Sequence, residues 1–186
     1  EQMKKKTRKL TNKYCFFVEG QTEESYLDRV KEIINNHPDR IANAEFDIKV
    51  GSNIIKLEKR LNVLPKEEVY CFYDVEGVSE KEIEAFQHKL DYMSPKSKDG
   101  RKNIKYSLCY SSLSFEIWIL LHKTCFNDST LNKKTYLKSI NTLFKEDYSS
   151  LDAFKQNENF KKFCQQIQLE DIKKAIENAK LMEKRN

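Results

Sequence analysis

Two short apolar runs constrain the fold of this chain more than any other feature. Tyr14–Val18 (YCFFV) and Val69–Tyr73 (VYCFY) contain no charged residue, and an acidic residue directly follows each of them. Continuous apolar runs of this length are typical of strands that are buried on both faces, as in a parallel sheet. Segments with helical spacing separate the runs. The sequence therefore predicts an α/β domain, with a mainly parallel sheet flanked by helices.

The other predicted elements rest on helical or alternating periodicity and on capping residues. Thr22 and Ser79 are typical helix N-cap residues, and Glu23 lies in the first turn that would follow Thr22. The predicted elements are helices over Thr22–Asn35, Asn53–Leu64 and Ser79–Tyr92, strands over Ala44–Val50 and Ile104–Cys109, and a helix that begins near Ser114.

The composition changes beyond His122, where the chain becomes rich in Lys, Asn and Gln. Apolar residues at helical spacing predict three further helices, over Tyr136–Phe144, Phe154–Phe163 and Leu169–Met182. The predicted apolar stripe of the last helix is Leu169, Ile172, Ile176 and Ala179. We expect residues 14–126 to form the α/β domain and residues 127–186 to form a helical extension packed on it.

The positive charge is concentrated at the N-terminus. Residues 1–13 contain six Lys or Arg residues and one Glu, so this segment alone accounts for the net charge of +5. A basic tail on a neutral body suits contact with phosphates. It equally suits a disordered, solubilising tail, and the sequence leaves both readings open.

Several protein classes are disfavoured by composition. No apolar run approaches the roughly 20 residues that a membrane-spanning helix needs, and no apolar stretch follows the basic N-terminus as in a secretory signal. An odd number of cysteines without a CxxC pair argues against disulfides and zinc ribbons. We therefore expect a cytoplasmic protein that has no membrane partner and whose cysteines are reduced. These are Cys15, Cys71, Cys109, Cys125 and Cys164.

Acidic residues follow both apolar strands. Glu19 comes directly after the first and Asp74 directly after the second. In parallel sheets the ligand site lies beyond the carboxyl ends of the strands. Glu76 is two residues after Asp74 and points the same way in an extended chain. Such oxygen ligands suit Mg²⁺, although a solvated turn or a helix cap would explain each acidic residue equally well.

A third motif spans Tyr110–His122 (YSSLSFEIWILLH). On structural grounds Ser112 or Ser114 caps a helix, Glu116 lies in its first turn, and Trp118 belongs to the core. A catalytic role for Glu116 is the alternative, and the residues alone do not decide between the two.

Together the three motifs resemble the RloB family, a branch of Toprim-like proteins. The family pattern has Glu-Gly-x-Thr-Glu after a strand, then Asp-x-Asp, then Ser-Asn-Pro-x-Phe-Glu-x-Trp-x-x-x-His. The matching positions are Glu19, Gly20, Thr22, Glu23, Asp74, Ser111, Phe115, Glu116, Trp118 and His122. There are two departures. Glu76 replaces the second aspartate, and Ser112-Leu113 replaces Asn-Pro.

The resemblance implies a Toprim-like, Rossmann-like fold with a Mg²⁺ (or Mn²⁺) site at Glu19, Asp74 and Glu76. It also implies that these three residues are catalytic, together with Glu116 and His122, which would lie in or behind the site. The activity implied is that of a metal-dependent nuclease or another phosphodiester-processing enzyme. The role implied is anti-phage defence, since such genes are associated with abortive-infection and restriction–modification loci.

The segment Ser94–Asn103 (SPKSKDGRKN) is a candidate contact for nucleic acid, DNA or RNA. Its basic residues are Lys96, Lys98, Arg101 and Lys102; an ordinary solvated loop is the alternative. The main alternative function is a non-catalytic sensor or partner subunit that binds nucleic acid or a companion defence protein. A weaker one is an enzyme that acts on small phosphoesters. The sequence leaves a homodimer open.

Overall fold

The computed structural model describes residues 10–61, 67–75, 79–95, 104–112, 114–125 and 133–184. Four of its strands form one sheet in the order β2-β1-β3-β4, and every neighbouring pair is parallel. The predicted α/β class is therefore confirmed. The strands are β1 (Leu10–Val18), β2 (Ala42–Val50), β3 (Glu67–Val75) and β4 (Ile104–Ser112).

Helices connect the strands and continue beyond them. Those between strands are α1 (Gln21–Asn36), α2 (Ile54–Glu58) and α3 (Glu80–Met93). Those that follow β4 are α4 (Glu116–Leu121), α5 (Lys133–Phe144), α6 (Leu151–Lys155), α7 (Asn157–Cys164) and α8 (Leu169–Glu183). Ser79 caps α3 as predicted, and with Glu82 it forms a capping box.

Side chains alternate across the sheet and give it two buried faces. On one face Phe17 and Tyr73 share a cluster with α2, and Phe86 of α3 packs against it. On the other face Phe16 and Leu27, from β1 and α1, share a cluster. The helices after β1 and β3 thus lie on opposite faces. Their connections diverge at the carboxyl ends of these two neighbouring strands, where open α/β sheets hold their ligands.

The helical segments after β4 share a core with the α/β body. Tyr26 of α1 belongs to the same buried cluster as Phe154, Phe160 and Phe163. The ring centroid of Phe163 lies 4.8 Å from that of Phe144 and 5.0 Å from that of Phe154. A helical extension that packs on the α/β body fits these contacts, while the boundary at residue 126 stays a prediction.

Several element boundaries differ from the predictions. The N-cap of α1 is Gly20, without a side-chain cap, so Thr22 lies inside the helix. The N-cap of α4 is Phe115, also without a side-chain cap. The helix predicted over Asn53–Leu64 ends as α2 at Glu58. β1 begins at Leu10, inside the predicted tail, because residues 10–13 pair with β2.

The helix predicted over Phe154–Phe163 is two helices. Gln156 has φ −55° and ψ 133°, which ends α6, and the Asn159 side chain then donates to the Ala153 carbonyl at 2.7 Å. In α8 the predicted stripe is partly wrong, because Ile176 is 43% exposed whereas Ala175 and Asn178 are buried. The buried Asn178 is hydrogen-bonded, because its side-chain amide donates to the Leu121 carbonyl at the end of α4.

The cysteines differ in their burial. None of the five cysteines forms a disulfide, and Cys15, Cys71 and Cys164 are buried. Cys109, the last residue of the strand predicted over Ile104–Cys109, is exposed. It lies on β4, an edge strand of the sheet as described.

Candidate active site

The sheet brings Glu19 and Asp74 to the same edge, as the sequence predicts. Glu19 directly follows β1, and Asp74 is the penultimate residue of β3, the strand beside it. The Glu19 Oε2 accepts a hydrogen bond from the backbone N–H of Asp74 at 3.1 Å. The two strand ends are therefore joined through one of the predicted site residues.

The Asp74 carboxylate is held on its other side by β4 and the start of α4. Its Oδ1 accepts from the Ser111 hydroxyl at 2.6 Å, and its Oδ2 accepts from the Phe115 N–H at 3.3 Å. Ser111 is the direct partner of Asp74 in the β3–β4 register. Burial raises the pKa of Asp74, and the Glu19 charge raises it further, while the donors from Ser111 and Phe115 oppose the shift.

Glu23 is a third carboxylate in this cluster, although it lies on α1. Its side chain is buried, and burial raises its pKa, with further contributions from the charges of Asp74 and Glu19. A Cβ on Gly20 would lie 3.0 Å from the Glu23 Oε2. The glycine thus leaves room for Glu23 to fold back over the start of its own helix.

Glu116 is almost completely buried, with 1% of its surface exposed. The Lys155 ammonium lies 2.6 Å from its Oε1 as an ion pair. Apart from this ion pair, neither carboxylate oxygen has a hydrogen-bond partner among the described residues, and the buried hydroxyls of Ser114 and Tyr136 have none. The pKa of Tyr136 is raised by burial and then by the Asp74 charge, which links this polar pocket to the strand-end cluster.

Lys89 of α3 approaches Glu19 from the face of the sheet that α3 covers. Its ammonium lies 2.5 Å from the Glu19 Oε1 and 4.1 Å from the centroid of the Tyr73 ring. The lysine is thus held by a carboxylate and by the face of an aromatic ring at once.

The cluster carries an excess of negative charge. Its four carboxyl groups face two ammonium groups, so that two of the carboxylates have no counter-charge among the described residues. The carboxyl groups belong to Glu19, Glu23, Asp74 and Glu116, and the ammonium groups to Lys89 and Lys155. Like charges this close raise each other's pKa unless a cation or a proton lies between them.

Glu76 and the basic residues of the 94–103 segment lie outside the described residues; these are Lys96, Lys98, Arg101 and Lys102. Within the described ranges no group of three or more His, Cys, Asp and Glu side chains is arranged to hold a metal ion. Among the described helices, none has the length and apolar character needed to cross a membrane.

His122 lies behind the carboxylates and not among them. It is fully buried, its Nδ1 lies 2.9 Å from the Trp118 carbonyl, and its Nε2 lies 3.0 Å from the Tyr26 hydroxyl. Because a carbonyl only accepts, Nδ1 carries the proton and Nε2 accepts from the tyrosine. A neutral ring with both nitrogens engaged favours a role in packing; the catalytic role predicted for His122 stays untested.

The burial of His122 predicts a pH dependence of stability. Burial lowers its pKa below the usual 6.5, so at acid pH the unfolded chain takes up a proton that the folded chain does not. The stability that the neutral, buried His122 contributes is therefore fully present above pH 6.5 and is lost as the pH falls towards the pKa of His122 in the folded chain. We expect urea unfolding between pH 7.5 and 5 to show a shallower decline for His122→Phe than for the wild type.

The control for this experiment is His88→Gln, which removes an exposed imidazole from α3. An equal decline in the wild type and in His122→Phe would show that His122 does not contribute to the acid sensitivity.

Sequence reasoning missed the two lysines of the site. Lys89 and Lys155 lie in helical segments with no motif around them, and only the folded chain brings them to the carboxylates. Glu23 was part of a motif, but its position in a first turn was read as a favourable interaction with the helix dipole. No local signal indicated that it is buried.

The comparisons with known proteins give one family. A family model described as RloB-like protein matches residues 14–186. No curated protein matches this chain. Among solved structures, the C-terminal region of the Burkholderia pseudomallei OLD protein is similar at 15% identity and a TM-score of 0.41, covering 88% of this chain and 95% of that chain.

Proposed function

This chain belongs to the RloB-like family, and we propose that it is a Mg²⁺- or Mn²⁺-dependent nuclease or related phosphodiester-processing enzyme of anti-phage defence. The observation that carries the proposal is the carboxylate cluster at the carboxyl ends of β1 and β3, where the connections of the two strands diverge to opposite faces of the sheet. Its excess of two negative charges and its buried, unbonded Glu116 oxygen are costly to the fold unless a ligand uses them.

Two carboxylates of the cluster would serve a hard divalent cation, because no larger group of His, Cys, Asp and Glu side chains among the described residues is arranged to hold a metal ion. Mg²⁺ is commonly held by one or two carboxylates together with waters and substrate phosphates. Glu19 and Asp74 would supply the protein oxygens, and Glu76 would be a further ligand by the family resemblance. When bound there, the ion would polarise a phosphoryl group and lower the pKa of an attacking water.

The chain's own residues orient these ligands. The Ser111 hydroxyl and the Phe115 N–H fix Asp74, and Lys89 together with the Asp74 N–H fixes Glu19. Glu23 is the candidate to take up or give a proton. Burial and two neighbouring carboxylates raise its pKa towards the range that a general acid or base needs.

The proposed substrate is a polynucleotide. The net charge of +5 supports this, since a basic protein attracts the phosphate backbone. We propose that the basic residues of the 94–103 segment, which leads into β4 and so towards Ser111, contribute phosphate contacts.

The test is incubation of the purified chain with tRNA, single-stranded DNA and duplex DNA, each with Mg²⁺, with Mn²⁺ or with EDTA. We expect cleavage of at least one substrate with a divalent ion and none with EDTA. Cleavage that persists in EDTA would contradict a metal-dependent mechanism.

A non-catalytic binding module is the second candidate. It is favoured by the ion pairs that already neutralise Glu19 and Glu116. On this alternative the chain binds nucleic acid equally well with Mg²⁺ and with EDTA, and cuts nothing under either condition. Such a result in the same assay would replace the nuclease proposal.

A further inference from the structure

The two lysines of the site are held differently. Lys89 contacts both the Glu19 carboxylate and the Tyr73 ring, and 21% of its side chain is exposed. Lys155 lies at the end of α6, a helix of five residues, and 41% of its side chain is exposed. Among the described residues Glu116 is its one ion-pair partner. Lys89 is therefore held by two contacts, whereas the more exposed Lys155 is held by one ion pair.

The partner of Lys155 is unusual in its burial. Glu116 is 1% exposed, and neither of its oxygens accepts a directed hydrogen bond from the described residues. The Lys155 ammonium also lowers the pKa of Glu23 and of Asp74, so its charge acts on three carboxylates of the cluster.

We propose that Lys155 is a tethered cation that competes with the divalent ion for the carboxylate cluster. In the metal-free protein its ammonium neutralises Glu116. When the ion enters, the ammonium leaves Glu116 and turns to the exposed side, where it is placed to contact a substrate phosphate. This inference rests on the proposed function, because it needs a metal ion at the cluster.

Coulomb's law gives the reason for the competition. A unit positive charge a few ångströms from a bound divalent cation opposes its binding strongly at the effective dielectric constant near a protein surface. Removing the ammonium leaves one more uncompensated negative charge among Glu116, Asp74 and Glu23, and this charge attracts the divalent ion. A lysine that served only to stabilise the fold would not change metal affinity in this direction.

The experiment is calorimetric titration of Mn²⁺ and Mg²⁺ at pH 8 into the wild type, Lys155→Met and Lys155→Arg. We expect Lys155→Met to bind the ion about tenfold more tightly and Lys155→Arg, which keeps the charge, to bind as the wild type does. The matched control is Lys123→Met, which breaks an ion pair of similar length, 2.7 Å to Asp171. We expect it to leave the affinity unchanged.

The outcomes separate this inference from the proposed function. If the wild type binds the ion and Lys155→Met binds no more tightly, the tethered-cation inference is wrong and the proposed metal site stands. If neither binds, both are wrong.

A second measurement does not depend on the folding of a variant. Acetylation of wild-type lysines by an amine-reactive ester is compared with and without the metal by mass spectrometry. We expect the metal to increase modification of Lys155 and to leave that of Lys123 unchanged. Equal modification of Lys155 under both conditions would contradict its release from Glu116.

Discussion

Asp74→Asn is expected to lose metal-dependent cleavage by about 10³-fold or more, because it removes the charge of a proposed ligand and with it the electrostatic stabilisation of the transition state. The geometry should survive the change. The asparagine Oδ1 can accept from the Phe115 N–H, while its amide donates to the Ser111 hydroxyl, which rotates to accept. A loss of cleavage activity in this variant would therefore result from the missing charge and not from misfolding.

The same variant is expected to be more stable than the metal-free wild type. Burial and the Glu19 charge raise the pKa of Asp74 in the folded chain above its unfolded value. The folded chain then binds the proton more tightly, so stability falls as the pH rises through the range between the two pKa values. At neutral pH the ionised Asp74 carboxylate therefore destabilises the folded chain, and asparagine removes this destabilisation. Residues that lower stability are common at active sites.

Both effects are measured on one preparation, by cleavage rate and by thermal unfolding in EDTA. The matched control is Asp47→Asn, which neutralises an exposed carboxylate of β2. It should change neither the cleavage rate nor the pH dependence of unfolding. A variant of Asp74 that cuts at the wild-type rate would remove this residue from the mechanism.

Phe163→Ala is expected to lower the free energy of unfolding by about 3–5 kcal/mol, the usual cost of a large cavity in a packed core. Phe163 is fully buried, and its ring contacts Phe144, Phe154 and Phe160. Because Tyr26 of α1 belongs to the same cluster, the loss should destabilise the α/β body and the helical segments together. Urea unfolding followed by circular dichroism should show one transition at a lower midpoint.

The matched control is Ile176→Ala, which truncates an apolar side chain that is 43% exposed. We expect Ile176→Ala to lower the free energy of unfolding by much less than Phe163→Ala does. Two separate transitions in Phe163→Ala would show instead that the helical segments and the α/β body unfold independently, and would contradict a shared core.

The sequence predicts the sheet better than the ends of its helices. The apolar runs at Tyr14–Val18 and Val69–Tyr73 are neighbouring strands, because buried parallel strands leave a clear signal in composition. Helix starts were harder to assign. Gly20 and Phe115 precede α1 and α4 without side-chain caps, so nearby Thr22, Ser112 and Ser114 were misread as caps.

From the residue pattern alone the site was predicted only at strand ends, and the family resemblance added Glu116 of α4. Glu19 and Asp74 follow apolar strands, and parallel topology then brings them together. Lys155 comes from a helix remote in sequence, and its approach to Glu116 depends on how α6 packs in the shared core. Tertiary packing of this kind leaves no periodic or local signal for a reading of the sequence to find.

Calorimetric titration of Mg²⁺ and Mn²⁺ into the wild type and Asp74→Asn tests the central claim most directly. If the carboxylate cluster is a metal site, the wild type binds the ion below millimolar concentration and Asp74→Asn binds it far more weakly. If the wild type takes up neither ion at millimolar concentration, the cluster does not hold a metal and the proposed enzyme is wrong.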